Sequence, residues 1–336
     1  MLIKKLTDAC GLPGCEKEVR EIIKAELDGH VDSVFTDRLG NLIAVKNQNA
    51  PGRHIALCAH MDEVGLCIKG IDKEGYLKFD SWGVDARVLY SKRVAVGEKK
   101  IPGVIGAAPI HLLPPERRTE VVPADKLYID IGAKTKDEAE SCVELGDFVA
   151  FVSEYTEFGE HKIKAKALDD RVGCAAIIET LKGDCKNKLT AIFTVQEETG
   201  LRGAAAAANR IDADLAIVVE GTVCADTEDE DARTVTVQGC GPVVSLADNA
   251  SVYQKKYIES ITACAKLNGI PFQYRRTGVG GTDAGRFHLA KGGMPCIGLA
   301  APCRYIHSPV SVLDKRDYEN LVKLISAYVS REPGDL

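Results

Sequence analysis

The apolar positions of the chain follow two rhythms. Residues 16–27 place Val19, Ile22, Ile23 and Leu27 on one helical face with charges opposite, the spacing of an amphipathic helix. Residues 35–46 read as a strand, a turn at Leu39-Gly40-Asn41 and a second strand, and the apolar run 53–58 leads straight into Ala59-His60-Met61-Asp62. After Gly159 the pattern predicts helices over 171–181, 201–209, 253–267 and 315–331, interleaved with strands over 189–195, 215–220, 233–238 and 296–300. Such alternation predicts an α/β domain. Between residues 66 and 158 the texture changes to short β-like runs broken by glycines, at 77–79, 93–96, 104–106, 127–131 and 148–152, with one short helical signal at 136–142. That pattern predicts a small β-rich domain inserted into the α/β one. The expected division is therefore 1–65 and 159–336 for the core and 66–158 for the insert. Trp82 and Tyr90 are expected in the insert's small core, and the four prolines of 109–123 in an exposed loop.

Composition narrows the function classes. The chain has 336 residues, 45% hydrophobic and 27% charged, an ordinary globular balance with room for two domains. A formal net charge of -6 argues against nucleic acid, which favours a basic face. No apolar run approaches the roughly 20 residues of a membrane span. Residues 1–6 lack the apolar stretch and cleavage site of a signal peptide. The twelve cysteines include no C-x-x-C pair, so they read as structural thiols in a reducing compartment, and the expected address is the cytoplasm.

The chemistry concentrates at strand ends. In Ala191-Ile-Phe-Thr-Val-Gln-Glu-Glu-Thr-Gly200 an apolar, β-prone run feeds into two adjacent carboxylates. In open α/β sheets ligands bind at the carboxyl ends of strands. The design recurs: His60 follows one apolar run, Asp169 another, then Glu197 and Glu198, then Glu220, then His307. Taken singly, each reads as a solvated turn residue; five coincidences on one sheet read as a site. Two histidines with several carboxylates suit zinc, cobalt or manganese, and the excess of carboxylates suits two ions sharing a bridge. Asp62 lies two residues past His60, on the same side of an extended segment. There its carboxylate can fix the tautomer of a metal-bound imidazole, or serve only as a turn residue.

Together these motifs resemble the tetrahedral aminopeptidases, dinuclear metallopeptidases also called glutamyl aminopeptidases or endoglucanase M. The resemblance rests on His-Met-Asp-Glu-Val-Gly at 60–65, Leu-Asp-Asp-Arg-Val-Gly at 168–173, Gln-Glu-Glu-Thr-Gly-Leu-Arg-Gly-Ala at 196–204, Gly-Gly-Thr-Asp-Ala-Gly at 280–285 and Arg-Tyr-Ile-His-Ser-Pro at 304–309. Asp37-Arg38-Leu39-Gly40-Asn41 and Ile129-Asp130-Ile131-Gly132-Ala133 extend it over nearly the whole chain. It implies an α/β/α sandwich with a mixed sheet, carrying an inserted β-barrel-like (PDZ-like) domain that serves assembly or substrate access. It implies two divalent ions, zinc or cobalt with manganese also compatible: His60 and Glu220 on one, Glu198 and His307 on the other, and Asp169 bridging. Glu197 would be the general base and Asp62 the partner of His60. Glu220 stands where many relatives carry Asp. The peptide between Asp169 and Asp170 is expected to be cis, Gly280–Asp283 to line the pocket, and the assembly to be a twelve-subunit homo-oligomer acting on peptides.

Three other readings compete. A carboxypeptidase or deacylase on the same core would need a cationic clamp for the substrate carboxylate, and none is evident in the sequence. Glycoside hydrolysis needs two opposed carboxylates about 5–10 Å apart, whereas Glu197 and Glu198 are adjacent. An inactive scaffold would be expected to have lost some of the ligands, and all are present.

Overall fold

The computed structural model describes residues 1–227, 236–275 and 280–332. The chain divides into two compact units, one of Met1–Glu63, Tyr155–Ile306 and Ser311–Leu336, the other of Val64–Glu154 with His307–Val310.

The first unit is built on a mixed sheet. Its strands run, edge to edge, Ser33–Thr36, Leu42–Lys46, Lys188–Thr194, His54–His60, Leu215–Val223, Cys296–Arg304, Ser311–Asp314, Lys162–Ala165 and Thr156–Phe158. The four central strands, from Lys188–Thr194 to Cys296–Arg304, are parallel. Both sheet faces are buried, which is why these strands read as continuous apolar runs. Along His54–His60 the side chains alternate: Ile55, Leu57 and Ala59 join one core cluster, Ala56 and Cys58 the other. The first cluster packs under the helix Leu168–Lys182 and its neighbours Leu2–Asp8, Lys17–Leu27 and Lys315–Val329. The second packs under Arg202–Ala208 and Ala284–Leu289. This is the expected α/β/α layering. Leu57 is fully buried, so its truncation to Ala would cost about 2–5 kcal/mol.

Register decides what meets at the carboxyl edge. Thr194 pairs with His60, and Val218 pairs with Cys58. Two residues further along each strand of the latter pair come Glu220 and His60, side by side. The strand expected over 233–238 has residues 233–235 outside the described ones, and 236–238 form an irregular segment.

The second unit is a closed antiparallel barrel of Gly65–Ile71, Leu77–Trp82, Tyr128–Asp130, Ile101–Gly106, Arg93–Val96 and Phe148–Phe151. Closure removes the exposed strand edges that invite aggregation. Its interior holds Leu66, Ile68, Leu77, Phe79, Val94, Val96, Ile105, Ile129, Val149 and Phe151. The expectation for Trp82 and Tyr90 is corrected: Trp82 is only half-buried and Tyr90 is exposed. Leu77 and Phe79 point inward, so Trp82 falls on the opposite phase of the strand, and Leu89 takes the interior position beside Tyr90. The 109–123 segment runs exposed as expected, with short 3₁₀ turns at Ile110–Leu112 and Pro115–Arg117. Among the described residues no helix is long and apolar enough to cross a membrane.

Candidate metal centre

His60 ends its strand and is almost fully buried. Its Nδ1 lies 3.0 Å from the Asp62 carbonyl oxygen. A carbonyl only accepts, so Nδ1 donates, and Nε2 is the nitrogen turned toward the carboxylates. That Nε2 lies 3.4 Å from Glu220 Oε2 and 3.6 Å from Asp169 Oδ1. Ligand atoms of His60, Asp170 and Glu220 lie within 4.8 Å of one another, as do those of His60, Glu197 and Glu198.

The Asp62 carboxylate has a use that the spacing did not reveal. It stands 3.6 Å from His60 Nδ1, while its two oxygens accept the main-chain N–H groups of Glu197 and Glu198, each at 3.0 Å. One buried side chain thus holds both glutamates in place.

Asp169 and Asp170 divide their work through close backbone approach. The peptide between them is cis. Asp170 Oδ2 accepts from the N–H of His60 at 3.2 Å and Oδ1 from that of Gly173 at 2.9 Å. A Cβ on Gly173 would sit 2.4 Å from that carboxylate, so only glycine permits the contact. Asp169 Oδ1 accepts from the N–H of Gly221 at 3.1 Å, where a Cβ would lie 2.9 Å from Asp169. Neither aspartate is helical, although the helix Leu168–Lys182 spans both.

Burial pushes the Glu220, Glu197 and Asp170 carboxyls well above the usual carboxylate range; His60 pulls them back, and neighbouring carboxylates push the same way as burial. Burial alone would lower the His60 imidazole, yet Asp169 and Asp62, with the charges of Glu197 and Glu220, hold it well above its usual value. Glu220 Oε1 is buried and has no hydrogen-bond partner among the described residues. An unpaired buried carboxylate oxygen is costly, and so are crowded like charges. A divalent cation relieves both, and this nitrogen and oxygen donor set fits one.

The comparisons agree with the geometry. Residues 40–324 match the family model described as M42 glutamyl aminopeptidase. The chain belongs to the M42 aminopeptidase family. It is therefore a metallo-aminopeptidase, a hydrolase that removes N-terminal residues and whose family implies metal ions. It is 32% identical to a lysyl aminopeptidase of Pyrococcus furiosus over 97% of this chain and 95% of that protein. The structure of a TET aminopeptidase from the marine sediment archaeon Thaumarchaeota archaeon SCGC AB-539-E09 superposes with a TM-score of 0.94 at 34% identity, covering 98% of this chain and 95% of that one. The TET1 peptidase of Pyrococcus horikoshii, described as assembling into a tetrahedron or a large octahedral shell, superposes with a TM-score of 0.86 at 37% identity over 97% and 98% of the two chains.

Of the residues singled out in the sequence, His60, Asp62, Asp169, Glu197, Glu198 and Glu220 all lie at this edge of the sheet. Glu220 sits within its strand, which runs on to Val223. His307 clusters with the barrel residues, and its Nδ1 faces the Gly83 carbonyl at 3.0 Å. In the Gly280–Asp283 turn, Asp283 is fully buried; its Oδ2 accepts from Thr194 Oγ1 at 2.5 Å. Burial, outweighing that bond, pushes its carboxyl up to about 6. Asp170 is the aminopeptidase's residue that the strand-end reading passed over; the doubled aspartate at 169–170 was its only signal.

Proposed function

We propose that this aminopeptidase works with two divalent ions, zinc or cobalt, manganese suiting the same donors. His60 and Glu220 hold one, Glu198 and His307 the other, and Asp169 bridges. The observation that carries this reading is the surplus of carboxylates around one buried imidazole, with Glu220 Oε1 left without a partner. Asp169 suits the bridge better than Asp170, whose two oxygens are engaged by the main-chain N–H groups of Gly173 and His60.

When bound, the ions supply Lewis acidity and lower the pKa of a water from 15.7 toward about 7. The chain supplies the proton traffic. Glu197 stands next to the ligand Glu198, and burial raises its basicity. It accepts the proton of the attacking water and returns it to the departing amine. The substrate is the free N-terminus of a peptide. Residues 1–65 and 159–336 form the catalytic domain, and 66–158 serves assembly or substrate access in a twelve-subunit particle. The twelve scattered cysteines, without a C-x-x-C pair, suit a reducing, cytoplasmic setting.

Metal content and steady-state kinetics on two variants test the assignment. Glu197→Gln retains both ions and loses about 10²–10⁴-fold in kcat, whereas Glu198→Gln loses one ion. A metal-depleted Glu197→Gln beside a fully loaded, inactive Glu198→Gln would exchange the two roles.

A further inference from the structure

The turn that carries Glu197 and Glu198 is neither strand nor helix, yet most main-chain groups of residues 195–198 are hydrogen-bonded. On the carbonyl side it closes on itself: Val195 accepts from Gly203, Gln196 from Arg202, and Glu197 from Gly200 and Leu201. On the amide side, four consecutive N–H groups are each taken by a side-chain oxygen from a distant part of the chain. Val195 donates to Asn41 Oδ1 at 3.0 Å, Gln196 to Glu16 Oε1 at 3.1 Å, and Glu197 and Glu198 to Asp62. Gln196 itself has φ 55, in the left-handed region. A run of amides in such a conformation forms a concavity that binds anionic oxygen.

Glu16 is the unexpected member. It precedes the helix Lys17–Leu27 at the cap position, yet makes no cap bond to it. Its carboxylate is spent elsewhere: the same Oε1 that accepts from Gln196 also accepts from Gly14 at 2.7 Å, and the residue is 3% exposed. It lies outside the 40–324 span matched by the family model. Asn41, fully buried, is aimed in turn by Asp37 Oδ2 at 2.8 Å and the Gly203 carbonyl at 3.0 Å.

We propose that Glu16 is a positioning residue for the reaction: its side-chain oxygen fixes the amide of Gln196, and so the direction in which Glu197 and Glu198 leave the strand. Asn41 fixes the preceding amide. The proposal rests on the reading of Glu197 as base and Glu198 as ligand. A buried amide without an acceptor would turn to find one, and displacing a catalytic group by about 1 Å can cost 10²-fold in rate.

The test uses the metal-loaded enzyme, an aminoacyl anilide, and the variants Glu16→Ala, Glu16→Gln and Glu197→Gln. Glu16→Ala is expected to lose about 10–100-fold in kcat with KM little changed, and to alter the visible spectrum of the cobalt-loaded enzyme. Glu16→Gln keeps an acceptor oxygen and restores most of the rate. Parent-like kcat and cobalt spectrum in Glu16→Ala would overturn the proposal; so would a Glu16→Gln as slow as the alanine variant, since charge would then be the operative property. If Glu16→Ala does not fold, Glu16→Asp replaces it, because the shorter side chain withdraws the acceptor; undiminished kcat there overturns the proposal equally. An active Glu197→Gln would instead overturn the base assignment. An inactive Glu197→Gln beside parent-like Glu16 variants would leave that assignment standing and remove only the positioning role.

Discussion

Two clusters of buried charge lie in the first unit, and they are built on opposite terms. In one, Glu63 meets Lys166 Nζ at 2.6 and 2.8 Å and Arg171 Nη2 at 3.2 Å. The remaining donors go to carbonyls: Lys166 to Ala9, and Arg171 to Met61, Leu6, Ala9 and Gly11. In the other, His60 is surrounded by Asp62, Asp169, Asp170, Glu197, Glu198 and Glu220, with Glu220 Oε1 unmatched. Both are charged and largely removed from the surface. The first is satisfied within the chain and holds the segment 6–11 and the turn after His60 together. In the second, Glu220 Oε1 has no partner among the described residues, and a positive charge would relieve the crowded carboxylates. Satisfaction, more than burial or charge, separates scaffold from site.

The largest effect expected from that contrast is on activity. Chelation should abolish hydrolysis of an aminoacyl anilide, and zinc, cobalt or manganese should restore it; full activity in stripped protein would place the acidic cluster in the same class as the satisfied one.

Next comes stability, measured by denaturant unfolding of metal-free protein. Glu63→Gln breaks a buried, matched charge cluster and should cost about 3–5 kcal/mol. Glu220→Gln removes one of several crowded carboxylates and should raise stability by about 0.5–2 kcal/mol while metal binding weakens. Equal losses in the two variants would erase the distinction.

The smallest effect concerns a matched pair nearer the surface. Burial opposes the ionisation of Asp226, but Arg304, donating at 2.5 and 2.9 Å, helps to hold its carboxyl at about 2. A depressed folded value means the contribution is fully present above the unfolded value of 3.8 and is lost as pH falls through about 2. The parent should therefore lose stability between pH 4 and pH 2 by slightly more than Asp226→Asn does.

Much of the centre was legible in the chain because its residues stand where apolar runs stop. His60 and the Glu197–Glu198 pair announce themselves in this way, and the parallel register then aligns them. Glu220 was legible as a residue but not in its placement, since its strand continues through Gly221 and Thr222. Trp82 misled because aromatic content was read without phase: the residue is out of step with Leu77 and Phe79. Asp170, Glu16 and Asn41 were not legible as parts of the centre. Their bonds to His60, Gln196 and Val195 cross 110, 180 and 154 residues of chain, and no local pattern encodes such a partner.

The sequence by itself determined the α/β core, the β-rich insert and the identity of most groups at the centre. These follow from periodicity and residue type, which act over a few positions. Only the tertiary structure decided how those groups are aimed: that Asp62 grips two amides, that Asp170 turns back to His60 while Asp169 faces its Nε2, and that Glu16 reaches Gln196. The reason is geometric. Apolar burial is non-directional and tolerates many partners, whereas a hydrogen bond needs a specific atom within about 3 Å, and that atom is supplied by whichever distant segment the fold brings alongside.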